Sequence, residues 1–237
     1  MQAITFLREA EKLQNPILGF NDIVRIIGKS PEYARVFIHR LKKKNFIAGI
    51  ERGKYALAPD PFETGSNLIF PSYISFMGAY AVYHLTTQLP SIIQVISTKS
   101  KAPITLENMK IVFIKFKKER MFGYKKERFR NKYIFIAEPE KAIVDSLYLP
   151  EYCPISESSE ALKSQELSHE KLAEYALQMD SVVTVKRLGY LLEQNGVDIY
   201  SKVKHKLNKR YDLLNPLLKR SKINSSRWKL NINEAFG

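Results

Sequence analysis

The chain has 237 residues with 38 lysines and arginines against 24 acids, a formal net charge of +14. That length buries a good core in one large domain or two modest ones, two being the expectation, and the surplus charge attracts polyanions such as nucleic acid or an anionic membrane face. No apolar run reaches 18 residues, charges break the first residues where a secretory signal needs its apolar core, and Cys153 is the only cysteine. These features argue against a membrane span, an internal disulfide and a thiolate metal site, and for a reducing cytoplasm.

The charge is unevenly spread. Residues 1–58 carry 11 basic and 5 acidic side chains, 99–132 carry 12 and 3, 186–229 carry 12 and 3, and 151–180 reverse the sign with 2 and 7. Several basic faces separated by an acidic, serine-rich connector are expected, or simply lysine-rich solvated surfaces in the two later blocks.

In chain order, Ile4, Leu7 and Ala10 recur at helical spacing over Ala3 to Leu13, and Asn15-Pro16 stops that helix. Phe20-Asn21-Asp22 caps a second, short helix through Ile23, Val24, Ile26 and Ile27, closed by Gly28. Ser30-Pro31 opens a third helix to about Lys44, because the serine oxygen takes an orphan N–H and proline loses nothing at the first helical position. Ala34, Phe37 or Ile38, and Leu41 form its buried face, leaving Glu32, Tyr33, Arg35, His39, Arg40, Lys42 and Lys43 outward. The runs at 46–50 and 55–57, joined by Glu51-Arg52-Gly53-Lys54, predict a hairpin. Three helices and a basic-tipped hairpin are the order of a winged helix-turn-helix, whose third helix enters the major groove while the wing meets the backbone.

Pro59-Asp60-Pro61 is expected to break structure, with a linker over 59–69 and a larger mixed α+β domain over 70–237 that ends in helices. Its predicted elements are an aromatic-rich helix from Ser72 to Leu85, strands at Ile92–Ser97, Ile111–Phe116 and Lys132–Ala137, and a helix started by Glu138-Pro139 and stopped by Pro150. Helical periodicity dominates from Glu170 onward, and 156–166 is low in complexity.

The candidate DNA contacts follow from residue type. Arg35, Arg40, Lys42, Lys43, Arg52 and Lys54 are placed to neutralise phosphates; Glu32, Tyr33, Arg35, Val36 and His39, near the helix start that Ser30 caps, are placed to meet base edges. The same helix–helix–helix–hairpin order also serves protein-binding modules. No phosphate-cradling or common nucleophile motif occurs, the four histidines lack metal-ligand spacing, and no acid has a lysine two positions later as a nuclease strand would. His84 reads as a core or boundary residue, and Glu138, Glu140 and Lys141 as first-turn helix residues. A non-enzyme without metal or cofactor is expected.

Taken together, SPEYARVFIHRLKKKNFIAGIERGKYAL (30–57), FPSYISFMGAYAVYHL (70–85), IAEPEKAIVDSLYL (136–149), VKRLGYLLEQNG (185–196) and RWKLNIN (227–233) resemble the AbiEi-type antitoxin and transcriptional regulator family of abortive-infection, type IV toxin–antitoxin systems. The resemblance implies a winged helix binding inverted repeats at its own promoter, a C-terminal domain tied to antitoxic activity, and a separate nucleotidyltransferase-like toxin opposed directly or only functionally. Gly65-Ser66 lacks the acidic pair expected of that toxin, so the chain resembles the antitoxin. Lys186, Arg187 and Tyr190 match the family's K-R-L-G-Y element and mark a possible C-terminal functional surface, although Leu188, Leu191 and Leu192 beside them read as a packed helix. No heptad seam is evident, so a monomer or a cooperative pair on DNA is expected. The alternative is a C-terminal module that captures a toxin or other acidic partner through the aromatics of 70–85 and the basic block at 99–132.

Overall fold

The structure, a computed structural model, describes residues 2–235 except Gln14, Ala58 and Glu107. The N-terminal unit comprises α1 (Ala3–Lys12), β1 (Ile17–Gly19), α2 (Phe20–Ile27), α3 (Pro31–Lys43), β2 (Ile47–Glu51) and β3 (Lys54–Leu57). Local chemistry sets each boundary. The Asp22 carboxylate accepts from Gly19 N–H at 2.9 Å to start α2, Gly28 ends it at φ +62°, and Ser30 Oγ accepts from Tyr33 N–H to start α3. Phe6, Ile23, Ile27, Phe37 and Leu41 close a core between the three helices, with Phe6 edge-on to Phe37 at 5.5 Å. Each such burial stabilises by about 1.5–3 kcal/mol. β1 was not legible; it pairs antiparallel with β3 and makes the hairpin a three-stranded sheet.

The body follows with α4 (Pro61–Asn67), β4 (Ser72–Ser75), α5 (Phe76–Val82), β5 (Ile92–Ser97), β6 (Ile104–Leu106), β7 (Met109–Lys115), β8 (Tyr124–Phe129), β9 (Lys132–Ala137) and α6 (Pro139–Tyr148). Then come α7 (Ile155–Ala161), α8 (His169–Gln178), α9 (Val182–Gln194), α10 (Tyr200–Val203), β10 (Asp212–Leu213), β11 (Asn224–Ser225) and β12 (Leu230–Asn231). A six-stranded mixed sheet in the order β6-β7-β5-β4-β9-β8 carries the core, with β5 and β7 parallel, β4 and β9 parallel, and the remaining neighbours antiparallel. Among the described residues no helix is long and apolar enough to cross a membrane.

Four expectations are corrected. Residues 59–69 are not a linker: Asp60 Oδ1 accepts from Glu63 N–H at 2.8 Å and Pro61 takes the first helical position, so the same cap-plus-proline signal that opens α3 opens α4. Ser72 to Leu85 is a strand followed by a short helix. β4 is central and buried on both faces, so its apolar run has no alternation to separate it from helix. The acidic, serine-rich segment expected as a connector over 151–180 instead folds into α7 and α8, and Ile155, Ser158, Ser159 and Ala161 of α7 are buried. Finally, the described residues end in a small three-stranded sheet, β10-β12-β11, and not in helices.

Ile17 and Ile50 pack into the body's core, so the two units share a boundary. It is also tied by a Glu51–Lys101 ion pair and by Lys54 Nζ donating to the Leu68 carbonyl at 3.4 Å.

Candidate nucleic-acid interface

α3 divides into two faces by its own periodicity. Ala34, Phe37, Ile38 and Leu41 are buried, and the residues opposite them, Glu32, Val36, His39 and Lys43, form an outward stripe at i, i+4, i+7 and i+11. Arg35 flanks the stripe on one side, Tyr33 and Arg40 on the other. Ser30 sits at the exposed start, where the cap leaves the helix's positive end toward solvent.

The side chains differ in how free they are. Arg35 lies 3.6 Å from Glu32 and 5.5 Å above the Phe20 ring, while two-thirds of its side chain stays exposed, so both contacts steer it without burying it. The Glu32 carboxyl is drawn below its usual range, first by its backbone N–H and then by the Ser30 hydroxyl. Tyr33 stacks on Phe37 at 6.2 Å and is half committed to covering the core. His39, Arg40 and Lys43 are exposed. Lys42 instead lies across Gly49 of β2, where a Cβ would stand 3.2 Å from its ammonium.

At the hairpin tip Arg52 is exposed and Gly53 turns at φ +76°. Lys54 departs from its expected free role: Glu51 holds its ammonium at 2.8 Å, and it reaches inward to Leu68. Glu51 thereby receives two lysines, one from the hairpin and one from the body. Among the described residues the cations of this surface that pair with no carboxylate therefore include Arg40, Lys43 and Arg52, with Arg35 loosely held.

The predicted C-terminal surface is corrected. Lys186 is fully buried and donates to Asn208 Oδ1 at 2.7 Å, the Arg210 carbonyl at 2.5 Å and Asp212 Oδ2 at 2.7 Å. Arg187 is 4% exposed and donates to the carbonyls of Leu147 and Leu213; burial pushes its guanidinium down to about 10. Tyr190 is half-buried against the core, and burial raises its phenol. These residues fasten the C-terminal sheet to α9 and α6 and present no charged face. The aromatics Tyr73, Phe76 and Tyr80 are likewise core. His84, expected at a core or boundary position, is exposed just after α5.

One buried polar group escaped the sequence. Lys141, expected only as a first-turn residue, is fully buried with Asp145, its ammonium packed against the rings of Phe122, Phe116 and Tyr73. Ser75 donates to Asp145 at 2.8 Å, and burial is the main force moving both ionised groups toward neutrality, the lysine down and the carboxyl up. The i,i+4 spacing of a lysine and an aspartate was visible but reads equally as a surface pair. Among the described residues no three His, Cys, Asp or Glu side chains converge as for a metal ion. A comparison with protein-family models finds no match to this chain, and a search of curated proteins finds no matching relative.

Proposed function

We propose that the N-terminal unit is a winged helix-turn-helix that reads duplex DNA, with α3 in the major groove and the β2–β3 hairpin against the flanking backbone. The outward face of α3, where Glu32, Val36, His39 and Lys43 run between Arg35 and Arg40 on a helix whose other face is sealed in the core, is the observation that carries this reading. Glu32, Val36 and His39 stand where base edges would be met; Arg40, Lys43 and Arg52 stand where phosphates would be. The resemblance to AbiEi-type proteins extends the proposal to an autorepressor that binds an inverted repeat at its own promoter and serves as the antitoxin to a nucleotidyltransferase-like toxin.

The test is a titration of the full chain and an Arg35→Ala/His39→Ala variant against the gene's own upstream duplex and a scrambled one, at two salt concentrations. Selective binding by the wild type, weakened tenfold or more in the variant, is expected, a contact pair of this kind being worth about 1–3 kcal/mol. Equal, weak binding of both duplexes would reduce the interaction to net charge and end the sequence-specific reading.

A further inference from the structure

A cleft of about 550 Å³ lies where the N-terminal unit meets the body. Glu11 and Leu57 line one side; Glu63, Lys126, Lys132 and Tyr133 line the other. Its origin is topological. β9 pairs with β4 only at Ile74↔Ile136, so the start of β9 runs on past its neighbour, where Asn67 of α4 donates to the Tyr133 carbonyl at 3.2 Å. No core receives the Tyr133 ring, which is 57% exposed inside a concave site.

The chemistry of the walls is specific. The Lys126 ammonium sits 4.6 Å from the centre of the Tyr133 ring, covering one face of it. Its neighbour Lys125 is paired with Glu127, yet Lys126 has no carboxylate within ion-pair distance among the described residues. Lys132 is held at 3.1 Å by Glu63, a carboxylate almost wholly buried, so a second cation is fixed in the wall. Across the cleft, Glu11 forms no ion pair among the described residues. A free cation beside a second, ion-paired one, an open aromatic surface flanked by Leu57, and an opposed acceptor match a small molecule with an anionic group of several acceptor oxygens, a flat ring and hydrogen-bond donors.

We propose that this cleft binds a nucleoside monophosphate, its phosphate on Lys126 and Lys132, its base against Tyr133 and Leu57, and its base or ribose donors toward Glu11. The volume lies within the range of small-molecule sites. An aromatic amino acid offers a ring and a donor, but its carboxylate has fewer acceptor oxygens than a phosphate for the free Lys126 ammonium and the Glu63-paired Lys132 to share. Because the walls belong to both units, an occupant adds contacts between them and shifts whichever relative placement accepts it. The consequence for DNA affinity rests on the DNA-binding function proposed above; the binding site itself does not.

Calorimetric titration of the full chain with AMP, GMP, CMP and UMP tests the site, with inorganic phosphate, adenosine and tyrosine as comparison probes. Saturable binding of at least one nucleotide is expected, weakened about tenfold in both Lys126→Ala and Tyr133→Ala and unchanged in Arg35→Ala. Both substituted side chains are solvent-exposed, and an unchanged melting temperature shows that each variant folds. The proposal is overturned if no nucleotide binds, if tyrosine binds more tightly, or if the loss follows Arg35 and so places the nucleotide on α3. Repeating the DNA titration with nucleotide present reads the coupling: a change in affinity that Tyr133→Ala abolishes supports it, and binding with DNA affinity unmoved sinks the coupling alone.

Discussion

Lys186 uses all three ammonium protons inside the protein, on an amide oxygen, a backbone carbonyl and the Asp212 carboxylate. Lys186→Met should cost about 3 kcal/mol in urea unfolding, because it takes the ammonium from the Arg210 carbonyl and leaves a partly buried carboxylate with only Arg210 beside it, while Asn208 Oδ1 keeps the Arg210 N–H. A loss under about 1 kcal/mol would show that water already reaches this site. Three residues on, Gly189 meets Trp228, whose ring lies 2.1 Å from where an alanine Cβ would be; Trp228 is itself fixed by donating Nε1–H to Glu193 at 2.6 Å. Gly189→Ala should therefore also lose about 3 kcal/mol from overpacking. Lys43→Ala, on the outward stripe, should stay within about 0.5 kcal/mol of wild type. The K-R-L-G-Y element thus has a structural reason at each of these positions. From sequence its cations read as an edge, since nothing in a local pattern announces that a segment more than 20 residues later will cover them.

At the scale of elements, the hairpin's hold on the body turns on Glu51. Burial raises its carboxyl, but the hydrogen bonds from Lys101 and Lys54 outweigh that and leave it below its ordinary value. A carboxyl depressed on folding contributes stability that is present above the unfolded pKa and lost as pH falls through the folded one. Amide exchange in β2 and β3, corrected for intrinsic rates, should be constant from neutrality to about pH 5 and rise below about pH 4. Glu51→Gln should raise it at neutral pH and remove the acid step; a variant indistinguishable from wild type would mean that the ion pair holds nothing. Elements with a local stop or start are legible in the sequence: α2 ends on Gly28, α3 starts on Ser30-Pro31, and β9 alternates inward and outward residues from Lys132 to Ile136. Elements that exist through distant pairing are not. β1 needs β3, β8 needs β9, and β10 to β12 have two residues each, too few for any period to show. The cleft belongs to that second class, since its walls come from segments far apart in the chain.

Over the whole molecule, the surplus of cations is no guide to where a polyanion would lie, because many are already used. Lys186, Arg187 and Lys141 are buried; Lys12, Arg25, Lys54, Lys101 and Arg227 are paired with acids. On the proposed DNA-binding face, Arg40, Lys43 and Arg52 remain, joined by Arg35 and by the exposed Lys29 and Lys44 near the ends of α3. If phosphates are met only there, log K should fall against log salt with a slope of about −5 per protomer, near −0.9 for each of the six phosphates neutralised. Lys43→Ala/Arg52→Ala should flatten that slope by about 2 and weaken binding to matched and scrambled duplexes alike, whereas Arg35→Ala/His39→Ala should erase the difference between them. A slope twice as steep, halved in a dilute titration that separates single from paired binding, would mean that two copies assemble on the repeat. A slope indifferent to Lys43 and Arg52 would move the contact to the body, where the exposed cations of the β8–β9 hairpin, Lys126, Arg128 and Arg130, are the next to substitute. Lys126 would then be contested between DNA and the cleft, and competition of AMP against duplex would decide its role.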